Sequence, residues 1–349
     1  MKTAIVTTTI RVPEVLRLYR KFMPHAGIFI AGDEKSPSAQ IRALCDDLPG
    51  GWGFYYSLEQ QRKSDWEVVK FLPCNSMLRR NIATLEAVKW GADIIYMIDD
   101  DNIPMSYDHS AAFTFLGSIG DPRKYNFSGL EIRSPLQWFD PNELLDPPTV
   151  QRGYPLRIRR ITQQFTVHPV TDAKIGVVSG LILGSPDIDA VERIVTNPTR
   201  LNVSELARAG VVVNPHRCMT IFNSQNTAFV RELAPAMFMP LIDGEDTRYH
   251  DIFASLICQR IMETLDLYVH LGRPFVYQER NQHYLLDDLA LEMDGMRGIE
   301  DFNTCLWQTT CPRENSVLAN VKKIYDEFSC FSPDLTAAWI ADCEKAMAG

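Results

Sequence analysis

The chain has 349 residues, 46% of them hydrophobic and 23% charged, with a formal net charge of −9 and a pI of about 5.3. That length supplies a large core in one big domain or two ordinary ones, and the composition is globular rather than disordered or fibrous. The acidic balance disfavours broad attraction to nucleic acid, which needs a basic surface, and leaves open only a local basic groove; the densest basic run, residues 152–160, holds Arg157, Arg159 and Arg160.

The N-terminus does not read as a signal peptide, and no run approaches the roughly 18 apolar residues of a membrane span. The eight cysteines (45, 74, 218, 258, 305, 311, 330 and 343) are scattered without a Cys-x-x-Cys pair. That pattern predicts reduced, mostly buried thiols in a cytoplasmic protein, with a Cys305–Cys311 disulfide as the alternative. Cys74 and Cys258 read as core residues without chemistry.

Residues 3–10 predict a first strand ending in Thr7-Thr8-Thr9, and 14–22 a helix opening after Pro13. A second strand over 27–31 stops at Gly32-Asp33. Cys74-Asn75-Ser76 caps a helix whose Leu78, Ile82, Leu85 and Val88 recur at helical spacing, and Gly91 ends it. The apolar run 92–98 predicts a buried strand. Alternation of strands and helices predicts a mainly parallel, doubly wound α/β sheet. Residues 140–155 read as a long loop rich in Pro and Asp. A broken strand over 175–183 follows, then a helix near 188–195 capped by Ser185-Pro186-Asp187. Residues 251–265 predict an amphipathic helix, and 316–328 and 335–347 predict C-terminal helices. The expected organisation is one large α/β domain over 1–300 with a helical extension over 301–349 packed on it.

Asp99, Asp100 and Asp101 stand at the end of the third strand. Three carboxylates where a buried strand meets solvent are costly unless a cation neutralises them. Hard divalent cations take oxygen ligands, keep several waters and often share a substrate phosphate. The cluster therefore suggests a Mn²⁺ or Mg²⁺ site holding a diphosphate at the carboxyl end of a strand. Asp-Asp-Asp-Asn-Ile-Pro is also turn chemistry, and a solvated acidic turn is the competing reading.

Several segments, in order, resemble the STELLO family of glycosyltransferases: Ile30-Ala31-Gly32-Asp33-Glu34-Lys35-Ser36-Pro37, Leu72-Pro73-Cys74-Asn75-Ser76 with Arg79-Arg80-Asn81-Ile82, Asp99-Asp100-Asp101-Asn102, Arg152-Gly153-Tyr154-Pro155-Leu156, Phe222-Asn223-Ser224-Gln225-Asn226-Thr227, and Asp251-Ile252-Phe253 with Gln259-Arg260. The chain also resembles the reversibly glycosylated polypeptides, the plant UDP-arabinopyranose mutases, in the Asp cluster, the Arg-Gly-Tyr-Pro segment and Arg248-Tyr249-His250-Asp251. Both resemblances imply a GT-A nucleotide-diphosphosugar fold with the Asp cluster as a DxD motif. They imply that Asp101 coordinates the metal and that Asp99 lies near the ribose or the metal, with Asp100 beside them.

The resemblance also frames the remaining candidates. Thr8 and Asp33 end the first two strands, where this fold touches the nucleoside; turn capping is the other reading of Asp33. Arg79 and Arg80 sit in the first turns of a helix, where cations oppose the helix dipole, so one of the pair is expected to face the diphosphate or the acids. In the mutases the arginine matching Arg152 is linked to sugar and required for activity. A protonated guanidinium is a poor nucleophile, so ion pairing to the diphosphate is the simpler role. Asp251, in the first turn of a helix, is the candidate base that deprotonates an acceptor hydroxyl. The mutases carry another acid where this chain has His250. They have a histidine where Gln278 stands, and His283, five residues on, is a candidate metal ligand. Asn223, Gln225 and Asn226 are candidates for sugar hydroxyls, or for satisfying backbone groups in a buried loop, and Arg248 completes the nucleotide-sugar set.

The expected function is a metal-dependent glycosyltransferase. It takes a UDP-sugar donor, and its acceptor is a saccharide, a small metabolite, a protein or a modified base. The alternatives are a UDP-sugar pyranose/furanose mutase and a non-catalytic scaffold of the same fold.

Overall fold

The computed structural model describes residues 1–105, 116, 126–159, 164–279 and 284–348. Strands β1 (Thr3–Thr9), β2 (Gly27–Gly32), β3 (Gly53–Tyr56) and β4 (Ile94–Ile98) lie parallel in the order β3-β2-β1-β4. Every residue of β4 is buried. Such a strand shows no alternation because helices cover both faces of a parallel sheet. The helices between these strands are α1 (Leu16–Phe22), α2 (Ser38–Asp47), α3 (Leu58–Arg62) and α4 (Arg80–Lys89), which gives the expected βα alternation. The architecture is mixed α/β, as the sequence pattern predicts.

Beyond β4 come β5 (Asn102–Pro104), β6 (Phe127–Arg133), β7 (Trp138–Phe139), β8 (Leu145–Asp146), β9 (Thr166–Ala173), β10 (Ile175–Gly184), β11 (Asn202–Val203), β12 (Val211–Val213), β13 (Met219–Thr220), β14 (Asn226–Val230) and β15 (Tyr268–Gln278). The main sheet continues from β4 as β14-β10-β15-β12-β6-β9, with β5 on β15 and both strand senses present. The pairs β7–β13 and β8–β11 form two small sheets.

Register in this second half assembles the site. Antiparallel β14 begins opposite the end of β4, with Asn226 paired to Ile98, so Ser224 and Gln225 arrive beside the Asp cluster. The last residue of β15, Gln278, pairs with Asn102 just after the cluster. The ends of β1 and β2 lie at the same edge, where Thr8 is opposite Ala31 and Thr9 opposite Gly32.

The later helices are α5 (Ala190–Val195), α6 (Glu205–Ala209), α7 (His250–Thr264), α8 (Leu285–Gln308), α9 (Val317–Glu327) and α10 (Pro333–Ala348). Helix α5 differs from expectation. Its cap is Asp189, which accepts from the Glu192 amide at 2.9 Å, not Asp187. Helix α10 packs on α4. Its Trp339 is fully buried, stacks on Phe238 at 4.6 Å and donates to the Pro235 carbonyl at 2.9 Å. Removing such a core aromatic costs about 3–5 kcal/mol, so the C-terminal helix is integral to the body. All eight cysteines are free. Among the described residues no helix is long and apolar enough to cross a membrane.

Candidate active site

Two cavities open at the carboxyl ends of β1, β2 and β4. One, of about 200 Å³, is lined by Thr8, Thr9, Asp33, Ser76, Arg80 and Asp100, among others. The other, of about 170 Å³, is lined by Asp101, Arg152, Gln225, Arg248, Asp251 and Gln278. Met77 and Asp99 line both, so the two form one cleft. Open α/β sheets place ligands at this edge because the strand ends and the following loops converge there.

In the first cavity, Thr8 Oγ1 donates to the Ala31 carbonyl at 2.8 Å and so ties β1 to β2. Asp33 is buried and accepts from the amides of Glu34 (2.7 Å) and Ser76 (2.9 Å). It therefore joins the end of β2 to the turn that leads into α4. Ser76 caps that turn by accepting from the Leu78 amide at 3.1 Å.

The two adjacent arginines part ways. Arg80 Nη1 donates to the Ser224 carbonyl at 2.8 Å and to its hydroxyl at 2.5 Å, and Nη2 pairs with Asp99. The Arg80 Nε–H has no hydrogen-bond partner among the described residues. Arg79 turns the other way, as residues about 100° apart on a helical turn must. Its guanidinium donates to the carbonyls of Leu72 (2.8 Å) and Pro73 (3.0 Å) and to Gln61 Oε1 (3.3 Å). Of the two candidates, Arg80 is therefore the one at the cleft, and Arg79 holds the 72–74 loop and does not line it.

The three aspartates are not equivalent. Asp100 accepts from Thr9 Oγ1 and from Arg11, Nη2 at 3.1 Å and Nε at 3.3 Å. Asp101 accepts from Gln278 Nε2 at 3.2 Å, with Arg11 Nη2 at 3.7 Å from its other oxygen. Burial, with Asp99 and Asp100 nearby, pushes the Asp101 carboxyl up to about 6 despite Arg11 and Gln278. Burial also raises Asp99, against the pull of Arg80.

Arg152 is buried and all five of its N–H groups are used. Nε and Nη2 reach Asp187 at 2.9 and 3.1 Å, Nη1 and Nη2 reach Asp251 at 3.1 Å each, and Nη1 also donates to the Arg248 carbonyl. Gly153 makes this possible. Its φ is +90°, and a Cβ there would lie 2.6 Å from Ile252 Cγ2, so only glycine lets the loop lie against α7. The saturated guanidinium has no donor left for a diphosphate, which corrects the simple ion-pairing role expected for Arg152.

Asp251 is the other half of this clamp. One of its oxygens also accepts from the Ser224 amide at 3.2 Å and hydroxyl at 3.4 Å. Burial alone would raise its carboxyl, but Arg152 and the Ser224 amide outweigh that and hold it below the usual carboxylate range. A carboxylate so held is a weak base. Clamped on Arg152, Asp251 is thus poorly placed for the proton transfer expected of it.

The remaining candidates divide by depth. Gln225 lines the second cavity. Asn223 lies behind it, donating to Asp187 at 2.7 Å and accepting from the Gln225 amide at 3.0 Å. Asn226 is structural: it accepts from Tyr96 Oη at 2.6 Å and donates to the carbonyls of Pro274 (2.9 Å) and Leu181 (3.3 Å) inside the sheet. That corrects its expected sugar contact. Arg248 lines the cavity with its head group tied to Glu292 (3.0 Å) and Asp288 (3.1 Å) of α8. His250 is buried and pairs with Asp246 at 2.8 Å. His283 lies outside the described residues.

Sequence reasoning missed Arg11, Thr9 and Asp187. Arg11 lies between two predicted elements and Asp187 in a predicted helix cap, and neither position marks a site residue. Their partners lie 89 and 35 residues away, so no local pattern marks them.

The donor set fits a divalent metal. Five carboxylates (Asp99, Asp100, Asp101, Asp187 and Asp251) stand against three guanidinium groups (Arg11, Arg80 and Arg152), an excess of two negative charges. The oxygen-only chemistry suits Mg²⁺ or Mn²⁺. Among the described residues no group of three or more His, Cys, Asp or Glu side chains is arranged to hold a metal alone. A metal here would complete its shell from a bound diphosphate and water, as these ions commonly do.

A profile of the family described as reversibly glycosylated polypeptide matches residues 94–332. The chain belongs to that family. The matched stretch runs from β4 through α9 and includes the Asp cluster, Arg152 and Asp251. A comparison with curated proteins found no match. Among solved structures, glucosyl-3-phosphoglycerate synthase from Mycobacterium tuberculosis, in complex with Mn²⁺ and UDP-glucose, aligns with 86% of this chain and 76% of its own. The identity is 13% and the TM-score 0.40. That likeness is too distant to bear on the site.

Proposed function

We propose that this member of the reversibly glycosylated polypeptide family is a GT-A-type enzyme acting on a nucleotide-diphosphosugar, a UDP-sugar, with Mn²⁺ or Mg²⁺ as cofactor. The observation that carries this reading is the two-part cleft joined at Asp99 and Met77, with Asp99, Asp100 and Asp101 all lining it. The nucleoside lies in the part walled by Thr8, Asp33 and Ser76, and the sugar in the part walled by Gln225, Arg248 and Gln278. Asp101, with Asp99 adjacent, would hold the metal, which when bound stabilises charge on the leaving diphosphate. Arg80, which lines the first cavity and pairs with Asp99, is the protein's own cation beside the diphosphate. Arg152, fixed by Asp187 and Asp251, presents a rigid charged wall to the sugar cavity, and such preorganisation is where most electrostatic catalysis comes from.

The leading reaction is glycosyl transfer to an acceptor hydroxyl. The second reading is a mutase that interconverts pyranose and furanose forms of the donor. Family membership favours it, since the family's description is of a polypeptide that itself carries sugar reversibly. The test is NMR analysis of the purified protein incubated with Mn²⁺ and a panel of UDP-sugars without acceptor. Ring-isomerised UDP-sugar without net UDP release establishes the mutase. Slow UDP release with free sugar establishes a transferase awaiting its acceptor. Absence of any UDP-sugar binding overturns both.

A further inference from the structure

A third cavity, of about 390 Å³, is larger than either part of the cleft and shares no lining residue with it. It lies where β7 and β13 meet the last turns of α8. Gln137, Trp138, His216, Arg217, Asn303 and Trp307 carry its chemistry. Its size falls within the range of small-ligand pockets, about 300–1,000 Å³.

The charges in this wall are already matched. Arg217 Nη1 sits 3.3 Å from both oxygens of Glu131, and His216 Nδ1 sits 3.2 Å from Glu263 Oε1. An anionic ligand would have to compete with these carboxylates, so the cavity favours a neutral polar one. Two indoles and two side-chain amides remain. Indole rings offer flat apolar faces with one polar edge, and amides offer both donor and acceptor.

A neutral sugar ring has the matching character, with apolar C–H faces and a rim of hydroxyls. Two wall residues are also short of partners. Trp307 Nε1–H and Asn303 Oδ1 are buried and make no hydrogen bond among the described residues. They stand four residues apart on α8, one turn, so their side chains share a face. Leaving a buried donor and acceptor unmade is costly, so this stretch of the wall holds hydrogen-bonding capacity in reserve. At the lip, Gln137 is held in a left-handed conformation (φ +58°). Its amide donates to the Ser134 carbonyl at 3.0 Å and its own carbonyl accepts from the Met219 amide at 2.8 Å. Such conformations persist in non-glycine residues only where the surroundings enforce them, and they concentrate at binding sites.

We propose that this cavity is a binding site for a neutral saccharide, separate from the nucleotide-sugar cleft. The proposal stands on the cavity alone and survives if the cleft proves not to bind UDP-sugars.

The test is saturation-transfer NMR on the full chain with glucose, galactose, arabinose, maltose, cellobiose and lactose, each with and without UDP and Mn²⁺. At least one of these sugars is expected to bind saturably and to the same extent in both conditions. Asn303→Ala and Trp138→Ala are each expected to weaken that binding about tenfold or more, with UDP affinity at its wild-type value in both and the melting temperature unchanged in Asn303→Ala; Trp138 packs against the core, so its alanine variant is also expected to melt lower. Trp138→Phe, which keeps an aromatic face, is expected to fold normally and to bind at an intermediate level. Three outcomes would overturn the site: no saturable binding by any sugar of the panel, binding abolished by UDP and Mn²⁺, or binding unchanged in both alanine variants.

Discussion

The guanidinium of Arg152 and the carboxylate of Asp251 form a bidentate pair, both N···O distances 3.1 Å, with both side chains almost wholly out of solvent. Asp187 grips the same guanidinium from another side. Removing the arginine strands two buried carboxylates. Breaking one side of a buried ion pair costs about 3–5 kcal/mol. Arg152→Ala should therefore lose about that much stability in urea unfolding, and Arg152→Lys less, since a lysine keeps the charge without the fork. A loss under about 1 kcal/mol for Arg152→Ala would mean that the pair does not persist in solution.

Arg79 and Arg80 should separate stability from binding. Arg80→Gln is expected to weaken UDP binding about tenfold, the loss of one charge-assisted contact. Arg79→Met leaves buried carbonyls of the 72–74 loop without their donor. It should lower the melting temperature and leave the UDP dissociation constant unchanged. Calorimetric titration with UDP and thermal unfolding on the same two variants decide the point. Equal effects of both on UDP affinity would contradict the opposite orientations of the two side chains.

Asp101 should make metal-dependent binding pH-sensitive. With its carboxyl near 6, acidification from pH 7 to 5 protonates it, and a neutral carboxyl is a poor metal ligand. The Mn²⁺-dependent part of UDP affinity should fall over that interval. In Asp101→Asn that part should be absent at every pH. Persistence of full Mn²⁺ dependence in this variant would remove Asp101 from the metal site.

Asp140 predicts a second pH effect, on stability alone. Its buried carboxyl accepts from the amides of Asn142 and Gln151, yet burial outweighs these bonds and pushes it up to about 7. The folded protein then holds a proton that the unfolded chain, with an ordinary aspartate, has released. Stability from this group is present in full at low pH and falls as pH rises from about 4 to about 7. Asp140→Asn keeps an acceptor oxygen and should flatten that slope in thermal unfolding. An unchanged slope would place the effect elsewhere.

Much of the cleft's frame was legible in the chain itself. The apolar run before Asp99 reads as a buried strand, and in the fold it is one, ending at the edge of the sheet. Thr8 and Asp33 end strands of the same kind, so strand–helix alternation alone brings them near the aspartates. Local periodicity carries such information because it repeats within a few residues. The sequence pattern could not say which of Arg79 and Arg80 faces the cleft, that Asn226 belongs to the sheet, or that Arg152 is saturated by Asp187 and Asp251. Each depends on a partner far along the chain. Helix α8 shows the same limit. Gly295 interrupts its helical pattern, and only the fold gives the reason: a Cβ there would lie 2.2 Å from the Tyr249 ring. That close approach brings Asp288 and Glu292 onto Arg248, beside the cleft. Composition and periodicity determined the α/β frame and the acidic strand end, because burial patterns are local. Tertiary structure alone decided which charges neutralise one another and which are left for a ligand, because that depends on distances between segments the sequence keeps apart.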